Sequence, residues 1–186
     1  MLRVSSYTPE AVAKVIAAAP QADAVFVAAG PEDAIAATLK LRGAGYAGPI
    51  VGGDGFDSNV WQKHTEVKDV YFTTHAYLGA DNPDPRVTAF RKSYLAAYPG
   101  SPPDAFAALG YDAARLIMAA IAKAGDTDPG KVLQALAAIQ RFAGVTGVVS
   151  YPAGSRIPTK TVSILGYEGG KRRLVRQLAP ERVPAP

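Results

Sequence analysis

Two hydrophobic rhythms divide the chain. Up to about residue 75, short continuous apolar runs alternate with stretches that have helix start and stop signals. Thr8, Pro9 and Glu10 provide a side-chain cap, a first-turn proline and a carboxylate at the positive end of a helix, which is expected to run to about Ala19. "ADAVFVA" (Ala22–Ala28) predicts a strand buried on both faces. "PEDAIAATLKLRG" predicts a helix opened by Pro31, with Glu32 and Asp33 in its first turn and Gly43 as its stop. "GPIVGG" and "DVYFTTHAY" predict two further strands, with a short helix around Asn59–His64 between them. A β-α-β-α-β series with short connections implies an α/β fold, a doubly wound parallel sheet.

Beyond residue 75 the rhythm becomes helical. After the proline-rich "LGADNPDP", three helices are expected. The first runs from Asp84-Pro85 to Tyr98, the second from about Pro103 to Ala124 with apolar residues every three or four positions, and the third from Asp128-Pro129 to Gln140. Strand-like sequence then returns as "GVTGVVSY", "TKTVSILGY" and "KRRLVRQL", the last two joined by "EGG" as a hairpin. "APERVPAP" has the composition of a frayed tail. A three-helix block interrupting an α/β sheet suggests two lobes, with the chain crossing between them near Thr74–Ala76 and Pro158–Lys160.

Composition changes this picture little. The 186 residues are 48% hydrophobic, enough for one sizeable core or two small ones. The net charge of +4 sits entirely in residues 171–186, where Lys171, Arg172, Arg173, Arg176 and Arg182 face only Glu181. A single terminal basic patch reads as a solvated face, not as the distributed surface of a nucleic-acid binder. With no cysteine, thiol chemistry and disulfides are excluded. No uninterrupted apolar run approaches the ~18–20 residues of a membrane span, and "MLRVSSYTPE" lacks the apolar core of a signal peptide.

Most candidate motifs fail on context. "GAGYAG" (Gly43–Gly48) has dinucleotide-loop spacing but follows a helix and precedes a strand, the reverse of what pyrophosphate binding needs. "DGFDSN" offers oxygen ligands without the glycine and glutamate of a calcium loop. His64 and His75 stand alone, and "DTD" at 126–128 lies where a helix needs a cap. No nucleophile, base and orienting acid assemble, and neither a metal nor a cofactor is called for. What remains is "GGDGFDS" at the carboxyl end of a predicted parallel strand, where open α/β sheets place their ligand crevice. There Gly53 lets a ligand approach the backbone, and Asp54 can offer its carboxylate to a cation. Asp57 and Ser58 read as caps of the following turn.

Three stretches, "ADAVFVAAGPEDAIAATLKLRGAGYAGPIVGGDGF", "FRKSYLAAYPGSPPDAFAALGYDAARLIMAAIAKAG" and "FAGVTGVVSY", together resemble the later half of type I periplasmic solute-binding proteins. The nearest group is the branched-chain amino-acid binding proteins of ABC transporters, and the likeness spans roughly residues 10–178. It implies two α/β lobes hinged about a solute: residues 1–75 and 160–178 in the second lobe, a helical segment 76–159 in the first, and a tail at 179–186. It also implies that Asp54 meets the ammonium of a bound amino acid and that Phe106 lines the side-chain pocket. The ligand-binding set is then Asp54, Gly53, Phe106, Ala29, Gly30 and Tyr77. Ala29-Gly30 stands where the family often carries a tyrosine, which points to a larger or differently shaped solute. The sheet that opens the family's first lobe has no counterpart, so the resemblance implies a fragment, prone to self-association. The implied function is the extracytoplasmic substrate-binding component of an uptake transporter, partnered by a membrane permease. A ligand-sensing regulatory domain of the same fold, or a doubly wound enzyme, is the alternative.

Overall fold

The computed structural model describes residues 8–18 and 22–180. The expected end of the first helix at Ala19 and the tail beyond Pro180 lie outside them. In chain order the elements are α1 (Pro9–Ala18), β1 (Val25–Val27), α2 (Pro31–Gly43), β2 (Ile50–Gly52), β3 (Val70–Thr74), α3 (Pro85–Ala97), α4 (Ala105–Ala124), α5 (Pro129–Ala137), β4 (Phe142–Gly144), β5 (Gly147–Val149), β6 (Val162–Glu168) and β7 (Lys171–Leu178). Two short 3₁₀ turns, Asp54–Phe56 and Asn59–Lys63, connect β2 to β3.

The described residues divide into two compact units, those up to 74 with 164–175, and 75–163 with those from 176 onward. In the α/β unit, β1, β2 and β3 pair in parallel, and the five-stranded sheet has the order β1-β2-β3-β6-β7. Its helix α2 follows directly from its sequence. Ala34, Ala37, Thr38 and Leu41 recur every three or four residues and are buried. Glu32 and Asp33 sit at the positive end, and Lys40 and Arg42 at the negative end. The chain leaves α2 through Gly45 at φ 88°, a left-handed conformation that explains one glycine of "GAGYAG". Arg42 then staples this loop, donating from Nη1 to the Tyr46 and Gly48 carbonyls at 2.8 and 2.7 Å. The hairpin turn between β6 and β7 uses Gly169 and Gly170, both at positive φ.

The core of the α/β unit is aromatic. Trp61 stacks on Phe56 at 5.3 Å and on Tyr167 at 4.9 Å, and Tyr167 stacks on Phe72 at 5.1 Å. Ile50, Val70 and Leu165 of the same unit are fully buried as well. β1 departs from expectation. It is the outermost strand of the sheet, and Phe26 is 67% exposed while Val27 is buried, so the run "ADAVFVA" is not covered on both faces.

The helical unit has two smaller clusters. Val87, Phe90, Ala108 and Val145 form one, and Ala120, Ala135 and Ile139 form the other between α4 and α5. Asp84, Asp104 and Asp128 cap α3, α4 and α5 through their side chains, which assigns the "DTD" segment to helix capping. The stretch read as one strand, "GVTGVVSY", is instead part of the β4–β5 antiparallel hairpin, because the chain reverses at Val145–Thr146. By length and composition alone α4 could cross a membrane, at mean hydropathy 1.4, although Asp112 and Arg115 interrupt its apolar run. Its Asp112, however, is buried in hydrogen bonds to the hairpin turn, as a helix packed on a globular unit requires.

Candidate functional site

The loop after β2 is built by three glycines with three different roles. Gly52 lies under the Phe56 ring, so a methyl group there would collide with it. Gly55 presses against the Ala29 carbonyl and the Gly30 Cα, which brings the loops at the carboxyl ends of β1 and β2 into contact. Gly53 differs from both. Its backbone is extended (φ −90°, ψ −161°), a conformation any residue adopts, and a methyl group there would meet nothing within 4 Å among the described residues. Neither backbone geometry nor local packing demands a glycine at 53. Asp54 follows at the head of the 3₁₀ turn and is exposed. Asp54, Gly53, Ala29 and Gly30 therefore share one rim at the carboxyl edge of the parallel strands.

Below this rim lies a polar network. Asp57 is buried; its Oδ2 accepts from Thr74 Oγ1 at 2.5 Å, and its Oδ1 pairs with Arg172 Nε at 2.9 Å. The Tyr167 hydroxyl is placed to donate to the Phe56 and Ser58 carbonyls at 3.0 and 2.9 Å and accepts from Arg172 Nε at 3.3 Å. Burial pushes the Tyr167 phenol up from its ordinary range, which keeps it a neutral donor. Two readings of the sequence change here. Ser58 caps the second 3₁₀ turn by accepting from Val60 N, but Asp57 is an ion-pair partner in the interior. Arg172, assigned to a solvated basic face, points inward.

Phe106 and Tyr77 belong to the helical unit. Phe106 stands in the first turn of α4, 49% exposed, just after the Asp104 cap. Tyr77 is buried and donates its hydroxyl to Asp81 at 2.5 Å. Burial first, and then the neighbouring carboxylate, push that phenol up to about 12. Sequence reasoning missed two charged groups in this unit. Asp112 accepts from Val145 N, Thr146 N and Thr146 Oγ1 at 2.9, 2.7 and 2.8 Å, which fixes the hairpin turn to α4. Lys160 donates to the His75 carbonyl at 3.1 Å, and burial pulls its ammonium down to about 8. A buried Asp on an otherwise apolar helix stretch, and a period-two reading of "KRRLVRQL", are the signals that mark Asp112 and Arg172 in the sequence.

The loop lies at the carboxyl edge of parallel strands, the edge at which open α/β sheets place their ligand crevices. The family model described as periplasmic binding protein matches residues 5–171, and the chain belongs to that family. Among curated proteins no match is found. Among solved structures, it is similar to the leucine binding protein LivK of Thermotoga maritima, with 25% identity and TM-score 0.82 over 97% of this chain and 51% of that one. It is similar to the branched-chain amino acid transporter substrate binding protein LivJ of Streptococcus pneumoniae, solved in complex with isoleucine, with 28% identity and TM-score 0.77 over 96% and 51%. A solute binding protein of an ABC transporter from R. palustris, in complex with benzoate, matches with 25% identity and TM-score 0.75 over 92% and 46%. The chain spans about half the length of these relatives.

Proposed function

We propose that this chain is part of the substrate-binding component of an ABC uptake transporter, with a membrane permease as its partner and an extracytoplasmic place of work. Its solute is an amino acid or a related amine or amide, and Asp54 is the partner of the solute's ammonium. Gly53, Ala29 and Gly30 shape the adjoining rim, and Phe106 and Tyr77 keep the ligand-binding role that the family resemblance implies for them. The observation that carries this reading is the exposed Asp54 on a rim whose Gly53 serves no local purpose. An acidic group there favours a cation, because Coulomb attraction strengthens as a cleft excludes water. A simple aromatic carboxylate such as benzoate would be repelled by the same group.

Thermal shift against the twenty amino acids and benzoate tests it, since a ligand that binds only the folded state raises the melting temperature in proportion to the logarithm of its concentration. At least one amino acid should stabilise the chain, or a version extended to the length of its relatives, and Asp54→Asn should abolish that shift. The reading fails if no amino acid stabilises either protein, or if Asp54→Asn leaves the shift intact. Stabilisation by benzoate that grows in Asp54→Asn would reassign the site to carboxylates. The helical unit also leaves Ile117, Met118 and Leu133 about half exposed or more, and we propose that a second copy of the chain covers these side chains. Light scattering should then show a dimer or larger species; a monodisperse monomer refutes it.

A further inference from the structure

The Asp54 rim is short, glycine-rich and exposed, yet a cation partner is useful only if it is held still. Three glycines in four residues lose much conformational entropy on ordering, so something must restrain them. Within the α/β unit the restraint comes from residues distant in sequence. We propose that Arg172, on the closing β7 strand, is the positioning residue of this solute rim, acting through the buried carboxylate of Asp57. The inference rests on the proposed role of Asp54 and concerns what sets its geometry.

The guanidinium is forked, and both of its ends are used on the loop. Nε pairs with Asp57 Oδ1 at 2.9 Å, and Nη2 donates to Asn59 Oδ1 at 3.0 Å. Asp57 immediately follows the 3₁₀ turn that begins at Asp54, and its N–H donates back to the Asp54 carbonyl at 2.9 Å. The second Asp57 oxygen is taken by Thr74 at the end of β3, so the carboxylate is gripped from two strands. Arg172 also meets the Tyr167 hydroxyl, which in turn reaches the carbonyls on either side of Asp57. The side chains of Asp57 and Arg172 are 3% and 22% exposed. Removing one partner therefore leaves the other charge largely buried without its counter-charge, in contrast to a surface pair. A lysine in place of Arg172 keeps the charge but cannot make both contacts from one planar group.

The protein carries its own reporter of this lock. Trp61 is the single tryptophan, stacked between Phe56 of the loop and Tyr167 of the network. Arg172→Gln should raise hydrogen exchange of residues 53–59 by at least about tenfold, leave α4 unchanged, and move Trp61 emission to longer wavelength. It should also weaken the amino acid identified by thermal shift about tenfold, Arg172→Lys recovering part of the affinity. Asp57→Asn should do the same, and the double variant should be little worse than either single one. The proposal is overturned if Arg172→Gln leaves loop exchange and emission unchanged, or if the loop loosens while affinity stays at the wild-type level. If Arg172→Gln does not fold, Arg172→Lys decides on the same readouts. If no amino acid binds the wild type, the solute reading falls by itself, and exchange and emission still show whether Arg172 holds the loop.

Discussion

The two units solve the same burial problem with different materials. In the α/β unit the largest side chains go inside: Trp61, Phe56, Phe72, Ile50, Leu165 and Val70 are all less than 2% exposed. In the helical unit Val87 and Phe90 are buried too, but the longest helix turns small residues inward. α4 buries Ala105, Ala108 and Ala120, while Phe106, Ile117 and Met118 on the same helix are 45–59% exposed. A core of stacked rings excludes water with large apolar area per residue, whereas alanine seams bring helices close but bury little. The lesson is where rigidity resides: the unit with the candidate rim is anchored by its own interior, and the helical unit keeps its large apolar surface outside.

The strongest way to break this contrast is to truncate one large residue in each unit. Trp61→Ala should cost about 3–5 kcal/mol, and Ile117→Ala less than about 1 kcal/mol, by urea denaturation. Similar costs would mean that the two interiors are not built differently. Asp112→Ala comes next. It strands two buried N–H groups and should cost about 2–4 kcal/mol, with accelerated exchange confined to β4 and β5; Asn at this position should lose less. Uniform loosening of the unit would show that Asp112 does more than hold the turn.

The rim glycines sharpen the comparison at a smaller scale. Gly55→Ala must displace backbone at Ala29 and should lower stability by about 1–3 kcal/mol. Gly53→Ala should leave the melting temperature unchanged or raise it, since it only narrows the unfolded ensemble, while reducing the stabilisation by amino acid. Equal destabilisation by both would remove the argument that Gly53 serves a ligand. The smallest effect belongs to Lys160, whose ammonium is pulled from 10.5 down to about 8. Between these values the unfolded chain holds a proton that the folded one has released, so stability should rise with pH across that window. Lys160→Met should flatten this rise in melting temperature; an unchanged slope would place the proton elsewhere.

Much of the fold was legible because its signals are local. Pro31 with Glu32 and Asp33, the Asp-Pro pairs at 84 and 128, and the Gly169–Gly170 turn each announce an element boundary through a conformation or a dipole that a few residues control. The strand-end position of "GGDGFDS" was legible for the same reason. Less local features were misread. Phe26 looked buried because its run is apolar, but the sheet places β1 at its edge. The β4–β5 reversal is fixed by Asp112, more than thirty residues away, and Gly147 at φ 117° is the one local sign of it, easily read as part of a continuous strand. Asp57 looked like a cap and Arg172 like a solvated charge, because a charge reveals its partner only when distant strands are brought together.

By itself, then, the sequence determined the alternation of strands and helices, their caps, and an acidic glycine loop at a strand's carboxyl end, since periodicity, φ preference and helix dipoles act over a few residues. Only the tertiary structure decided which of three adjacent glycines are needed by their neighbours, which strand is exposed, and which of the many charges is buried against which. Those questions are settled by packing and desolvation between residues as far apart as Asp57 and Arg172, and no local pattern encodes the distance between them.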